Sequence, residues 1–422
     1  MKGESKQLVE HLFRNEYGKM LATLIRLFGT PHIGLAEDIV QETLIAAIEH
    51  WAVEGIPDNP SGWLVQVAKR KALNELKRQK IRLHHEDQLL FRQENTVEEK
   101  AVFLEDEIKD NQLRMIFTCC HPALSTESQI ALTLKTLCGF GVKEVAKALL
   151  STESTINKRL YRAKETIRKS QSSFNIPQGK ELETRLQAVS LTLYLMFNEG
   201  YNATSGELPI QKGLCLEAIR LTKLLKEHFK HHRRLSALLA LMCFHAARFG
   251  ARIDNGGAIV LFEDQDRSLW DKELIQIGMN HLADSFPDDS LSSYHIEAQI
   301  AAEHCLAESF ENTDWQSLYK LYELLGKLKP NPVVELNLAI IQGRINGLEA
   351  SLKQLESLAK KNTLSHYHLL PATQGMFLMQ LARYKEALPY FEAALQLKPS
   401  TAELEMINSK ISECKEKLSK AK

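Results

Sequence analysis

GVKEVAKALLSTESTINKRLYRAKETIRK, residues 141–169, reads as a helix-turn-helix. A first helix over about Val142–Leu150 runs into Ser-Thr-Glu-Ser, where Ser151 or Thr152 can cap a second helix by accepting its unpaired N–H groups. Wound at about 100° per residue, Thr155–Lys169 separates into two faces. Ile156, Leu160, Ala163 and Ile167 gather on one side; Thr155, Lys158, Arg162 and Lys169 fall on the opposite side. An apolar seam backed by cations suits a helix that sits on a domain and enters a major groove. The alternative is a solvated basic helix of an ordinary bundle.

Working outward, the chain of 422 residues is long enough for two or three domains. It balances 53 basic against 53 acidic residues, so it lacks the global charge of a nucleic-acid binder. The charge is concentrated locally. Lys69, Arg70, Lys71, Lys77, Arg78, Lys80 and Arg82 face only Glu75, and Lys158, Arg159, Arg162, Lys164, Arg168 and Lys169 face only Glu165. Two such runs with apolar backing faces point to two DNA contacts, with acidic surface elsewhere. The polar start and the lack of any apolar run near the ~20 residues of a membrane span predict a cytoplasmic protein with no membrane partner. Seven scattered cysteines fit reduced thiols. Cys119, Cys120, His121 and Cys138 lack zinc-ligand spacing and read as packed thiols, so neither metal nor cofactor is expected.

Helical periodicity dominates throughout and predicts an all-α fold. Residues 8–29 form a first amphipathic helix, stopped by Gly29-Thr30-Pro31. Residues 35–51 form a second, burying Ala36, Ile39, Val40, Ala47 and Trp51. Its other face carries Glu37, Asp38, Gln41, Glu42 and Glu49 around Ile45, a small apolar centre in an acidic ring. After the loop 52–60, the helix 61–80 turns Leu64, Val65, Ala68, Ala72, Leu73 and Leu76 inward. Trp63, Arg70, Asn74 and Lys77 form an opposite stripe suited to exposed bases and phosphates; Trp63 capping the core is the competing reading. Residues 83–107 are polar and acid-rich, a linker. Residues 111–138 read as helical, and 170–180 as a second linker.

The order of an acidic helix, NPSGWLVQVAKRKALNELKRQ, an acidic linker and a helix-turn-helix resembles a bacterial extracytoplasmic-function sigma factor. The resemblance implies sigma region 2 over 8–82 and region 4 over 108–170. It implies that Asp38, Gln41, Glu42 and Ile45 meet the RNA polymerase core, with the β′ clamp and β flap as expected partners. Trp63, Arg70, Lys71, Asn74, Lys77 and Arg78 would handle the −10 element of promoter DNA, and Thr155, Lys158, Arg159 and Arg162 the −35 element. Lys69-Arg70 stands where the family often has Arg-Asn, and Asn74 where it often has Asp, which makes the −10 face less acidic.

The rest exceeds a minimal sigma factor: a helical extension over 181–330, tetratricopeptide-like repeats over 331–401 and a final helix over 402–422. Gly375, Tyr384, Ala387, Phe391, Ala394 and Pro399 fall at the repeat's characteristic positions. Together with FTCCHPAL at 117–124 and the stretches at 191–207 and 250–271, this resembles sigma factors whose large helical extension regulates them, and a regulator of that extension is an expected partner. Tyr194, Asn198, Glu199, Tyr201, Asp254, Glu263, Asp264, Asp266 and Arg267 invite a catalytic reading, but helix-end and loop hydrogen bonding accounts for such residues more simply. The expectation is a non-enzymatic sigma factor. A stand-alone helix-turn-helix regulator with a sensing domain, and a repeat scaffold with incidental basic helices, are the rivals.

Overall fold

The computed structural model describes residues 2–86, 105–149, 151–170, 174–201, 210–254, 259–286, 291–361, 363–397, 399 and 401–420. The described residues are helical, with one isolated bridge between Ile253 and Ile259 in place of any strand. The chain forms two compact units, Met1–Leu195 and Met196–Lys422. Most of the predicted acidic linker, residues 87–104, lies outside the described residues, as do 171–173 of the second linker, 202–209 and 255–258.

The first unit opens with α1 (Lys2–Phe28), α2 (Ile33–Glu54) and α3 (Pro60–Glu86). Gly29, at φ 84°, ends α1, and Gly55, at φ 83°, ends α2; both adopt the left-handed backbone that a side chain disfavours. Asn59 begins α3, its Oδ1 accepting from the Gly62 N–H at 2.9 Å, with Pro60 at the first helical position where a missing N–H costs nothing. Leu21, Ile25, Val40, Ala47, Leu64 and Ala72 close the core between these helices.

Four helices follow: α4 (Glu105–Cys119), α5 (Thr126–Thr136), α6 (Val142–Ala148) and α7 (Glu153–Ser170). The stretch 111–138, read as helical, is made of two helices. Pro122 falls in the break, and Ser125 starts α5 by accepting from the Ser128 N–H at 3.3 Å. Cys119, Cys120 and Cys138 are buried free thiols. Cys119 Sγ meets Thr136 Oγ1 at 3.1 Å, and burial pushes Cys120 up to about 11, so both stay protonated at neutral pH. The helix α8 (Gly179–Tyr201) contains the division between units. Its greater part, up to Leu195, belongs to the first, where Arg185 donates to the Phe117 carbonyl and Thr192 Oγ1 lies 3.0 Å from Gln129 Oε1.

The second unit continues with α9 (Lys212–His228), α10 (Arg233–Ala246), α11 (Lys272–Asp284), α12 (Ser293–Leu306), α13 (Trp315–Leu328) and α14 (Pro332–Asn346). Then come α15 (Leu348–Lys360), α16 (Leu369–Gln380), α17 (Tyr384–Gln396) and α18 (Thr401–Lys420). Every residue from Leu235 to Phe244 on α10 is buried, which marks it as the central helix of its half. The helices after α12 pack chiefly on their neighbours in sequence. In the α16–α17 pair a Cβ on Gly375 would come within 2.9 Å of the Phe391 ring, so the missing side chain is what lets that ring seat fully. Ala387 and Ala394 are wholly buried beside it. Each fully buried large side chain of this kind contributes about 1.5–3 kcal/mol.

Candidate nucleic-acid interface

The second helix of the helix-turn-helix is built as its sequence dictates. Thr152 is the cap: its Oγ1 accepts from the Thr155 N–H at 3.1 Å and shares a hydrogen bond with Thr155 Oγ1 at 2.9 Å. Ile156, Leu160, Ala163 and Ile167 are all buried, seating α7 on α5 and α6. Thr155, Lys158 and Arg162 are exposed, and Arg159 is half-buried near Glu127, whose carboxyl is held below its usual range first by its own backbone N–H and then by Ser125. Asn157 and Tyr161 also stand exposed on this helix, Tyr161 at 69 %. They are one turn apart and outside the apolar seam, which is the signal that could have singled them out.

On α3 the exposed residues are Arg70, Asn74, Lys77 and Arg78, spaced by four, three and one. That spacing keeps them on one side of a helix. Trp63 is half-buried, its ring 5.5 Å from that of Trp51 and 5.3 Å from that of His50. The aromatic cluster extends to Phe13, 5.7 Å from Trp51. Trp63 therefore packs on α2 while keeping part of its surface open. Lys71 is turned toward α2, where its Nζ meets Glu42 Oε2 at 3.1 Å.

On α2, Asp38, Gln41, Glu42 and Ile45 are all exposed. Ile48, one turn beyond Ile45, is exposed as well, at 56 % against 55 %. The two form an apolar spot among Asp38, Glu42 and Glu49, larger than the single isoleucine seen on the helical wheel. Glu37 differs from the reading above. It is buried, and Lys164 of α7 donates to its Oε2. The wheel places it among the exposed acids, but α7 covers that side of α2.

This ion pair belongs to a closely packed junction between α1–α2 and α5–α7. Lys135 lies 5.5 Å from the Tyr17 ring centroid. Gly18 lies against the backbone at the end of α5, where an added Cβ would stand 2.1 Å from the Leu137 carbonyl oxygen. Burial, followed by Glu37 and Asp38, raises the Tyr17 hydroxyl far above its usual range, so it stays protonated.

Comparison with known proteins accords with this geometry. Residues 12–81 match sigma-70 region 2, residues 114–167 match sigma-70 region 4, and residues 185–286 match a family of unknown function, DUF6596. An uncharacterized protein of Rhizobium meliloti (strain 1021), R00370, is 35% identical over 393 residues, spanning 93% of this chain and 92% of its own. No solved structure matches the chain. No described helix is long and apolar enough to cross a membrane. With both sigma-70 regions in order and a relative aligned over nearly its whole length, the chain belongs to the sigma-70 family.

Proposed function

We propose that this chain is a sigma factor of the extracytoplasmic-function type, which gives RNA polymerase its choice of promoter and performs no covalent chemistry of its own. The observation that carries the reading is the pair of exposed polar and cationic faces on apolar-backed helices, Thr155/Lys158/Arg162 on α7 and Arg70/Asn74/Lys77/Arg78 on α3. Lysines and arginines on phosphates would position the protein, with a log–log salt slope of about −0.9 per neutralised phosphate. Base-edge contacts from α7 would select the −35 element at about 1–3 kcal/mol per good bidentate pair. On the −10 side, Trp63 and the α3 stripe, with Lys71 once released from Glu42, would hold bases that have left the stack. The Asp38/Gln41/Glu42/Ile45 surface, extended by Ile48, would dock on the polymerase core, with region 2 over 8–82 and region 4 over 108–170. The C-terminal half, tetratricopeptide-like over 331–401, would act as a regulatory arm of a cytoplasmic protein.

The test is transcription reconstituted from sigma-free bacterial core polymerase and this protein on templates from its own genome. Specific initiation is expected. Asp38→Arg should abolish it through core binding, and Arg162→Ala should weaken it about 5–150-fold through promoter reading. A protein that neither binds core nor initiates anywhere would overturn the proposal. One observation favours a second reading, a regulator that binds duplex DNA unaided: the α7 face stays open while α7 is packed on α2. Tight operator binding without polymerase, indifferent to Asp38→Arg, would decide for it.

A further inference from the structure

The second unit contains a cationic cluster that sigma function does not use. Arg248, in the turn just after α10, has its guanidinium carbon 4.1 Å from the Phe262 ring centroid and 5.4 Å from that of Trp270. Arg267, in a short turn before α11, stands 4.6 Å from Trp270 and 5.8 Å from Phe262. Two guanidinium groups thus share two aromatic rings. The His304 ring meets Phe262 edge-on at 4.7 Å, and His245, in the last turn of α10, lies three residues before Arg248.

Among the described residues, neither arginine bonds to a carboxylate. Arg248 directs Nε and Nη2 to one amide oxygen, Gln265 Oε1, at 3.2 and 3.1 Å. Arg267 gives Nη1 to the carbonyls of His304 and Ala307, at 2.7 and 2.6 Å, closing the end of α12. Its Nη2 is buried without a partner, as are Nδ1 of His245, Nδ1 of His304 and Nε1 of Trp270. The acids nearby are otherwise engaged. Glu263 pairs with Arg344 at 2.7 Å, Asp266 accepts from the Ser268 N–H at 2.8 Å, and Glu311 is exposed and held by its own backbone N–H and by Ser309.

Arginine cannot shed its charge, so this is fixed like charge gathered where water is scarce. Capping α12 explains Arg267 but not a second arginine on the same rings, which adds repulsion. Burial, followed by Arg248, pushes both histidines down to about 3, so each is neutral near pH 7 and offers one N–H. Two partly buried cations together with buried, unused donors and no anion are the complement of an oxyanion. The planar fork of arginine is the group best matched to phosphate and carboxylate.

We propose that Arg248 and Arg267 form the binding site of a small oxyanion, the phosphate or carboxylate group of a metabolite, with the His245, His304 and Trp270 N–H groups as additional donors. Arg248, Phe262, Arg267 and Trp270 all fall inside the stretch that matches the family of unknown function. The site gives that stretch a ligand class.

The test uses the full-length protein, exchanged into chloride buffer and titrated with inorganic phosphate or with citrate at matched ionic strength. At least one should raise the unfolding midpoint saturably, by about 2–6 °C at a tenfold excess over Kd, where chloride does not. A response to phosphate alone identifies a phosphoryl ligand, and one to citrate alone a carboxylate. Arg248→Gln should lose the response, and Arg383→Gln, on a half-buried arginine that pairs with Glu349 and Glu386 elsewhere, should keep it. Phenylglyoxal labelling mapped by mass spectrometry reads the same site without a variant: the effective anion should slow modification of Arg248 and Arg267 several-fold and leave Arg70 unchanged. No response to either anion, a full response in Arg248→Gln, or equal protection at Arg70 would overturn the proposal.

Discussion

His245 and His304 each carry a buried ring nitrogen without a partner, and both are held neutral by burial and by the arginines beside them. In the unfolded chain each takes up a proton near 6.5, whereas in the fold it does so only near 3. Between those values the unfolded state binds more protons. Stability is therefore complete above about pH 6.5 and is lost as pH falls, by up to about 1.4 kcal/mol per pH unit per histidine. Urea unfolding at about pH 7.5 and about pH 5.5 should show this loss, and a His245→Gln/His304→Gln variant should lose measurably less. Equal losses in both proteins would show that the histidines do not drive it. A second residue is strained rather than charged. Ala382, between α16 and α17, sits at φ 56°, where its Cβ crowds the backbone. Ala382→Gly should stabilise the protein by about 0.5–1 kcal/mol, the strain relieved less the extra chain entropy of glycine, and a thermal melt reads the gain.

Among the elements, α7 was legible almost entirely from the sequence. Its seam of Ile156, Leu160, Ala163 and Ile167 obeys the period of a helix, and its cap needs only a hydroxyl at the right step. The side of α3 that carries Arg70, Asn74 and Lys77 was legible for the same reason. The far side of α2 was not. A helical wheel shows which residues could be exposed, but it holds no information about a second domain packed over Glu37. Nor did Gly18 attract notice, because only the approach of Leu137, distant in sequence, gives it meaning. Gly18→Ala places a methyl on a backbone oxygen that cannot rotate away, so α1 and the end of α5 must part. A loss of about 1–3 kcal/mol is expected, together with a longer distance between labels at Arg70 and Arg162. Unchanged stability and distance would show that the junction yields at little cost. The junction also has to open in use if both DNA contacts are made at once. Elements centred near −10 and −35 lie about 25 base pairs apart, or roughly 85 Å at 3.4 Å per step.

At the scale of the whole chain, the composition at 170–180 marks a linker, yet α8 beyond it is built into the first unit as far as Leu195. Leu186, Val189 and Leu193 have the spacing of a buried face, but that spacing does not tell which domain buries them; all three are at most 1 % exposed. The distinction decides how the proposal of a regulatory arm is to be tested. Ending the chain at Ser173 removes these side chains along with the arm. At about 1.5–3 kcal/mol each, the loss of roughly 5–9 kcal/mol approaches the whole stability of an ordinary domain. That shortened chain should melt early or aggregate, and its silence in transcription would carry no message about regulation. A chain ending at Tyr201 keeps the three side chains, the Arg185 bond to Phe117 and the Thr192 contact with Gln129. It should unfold cooperatively and still bind core polymerase. Its promoter output, compared with that of the full chain at equal core occupancy, isolates what the arm does. A strong change in either direction is expected of a regulatory arm. Equal output from the two would mean that the second unit leaves initiation alone.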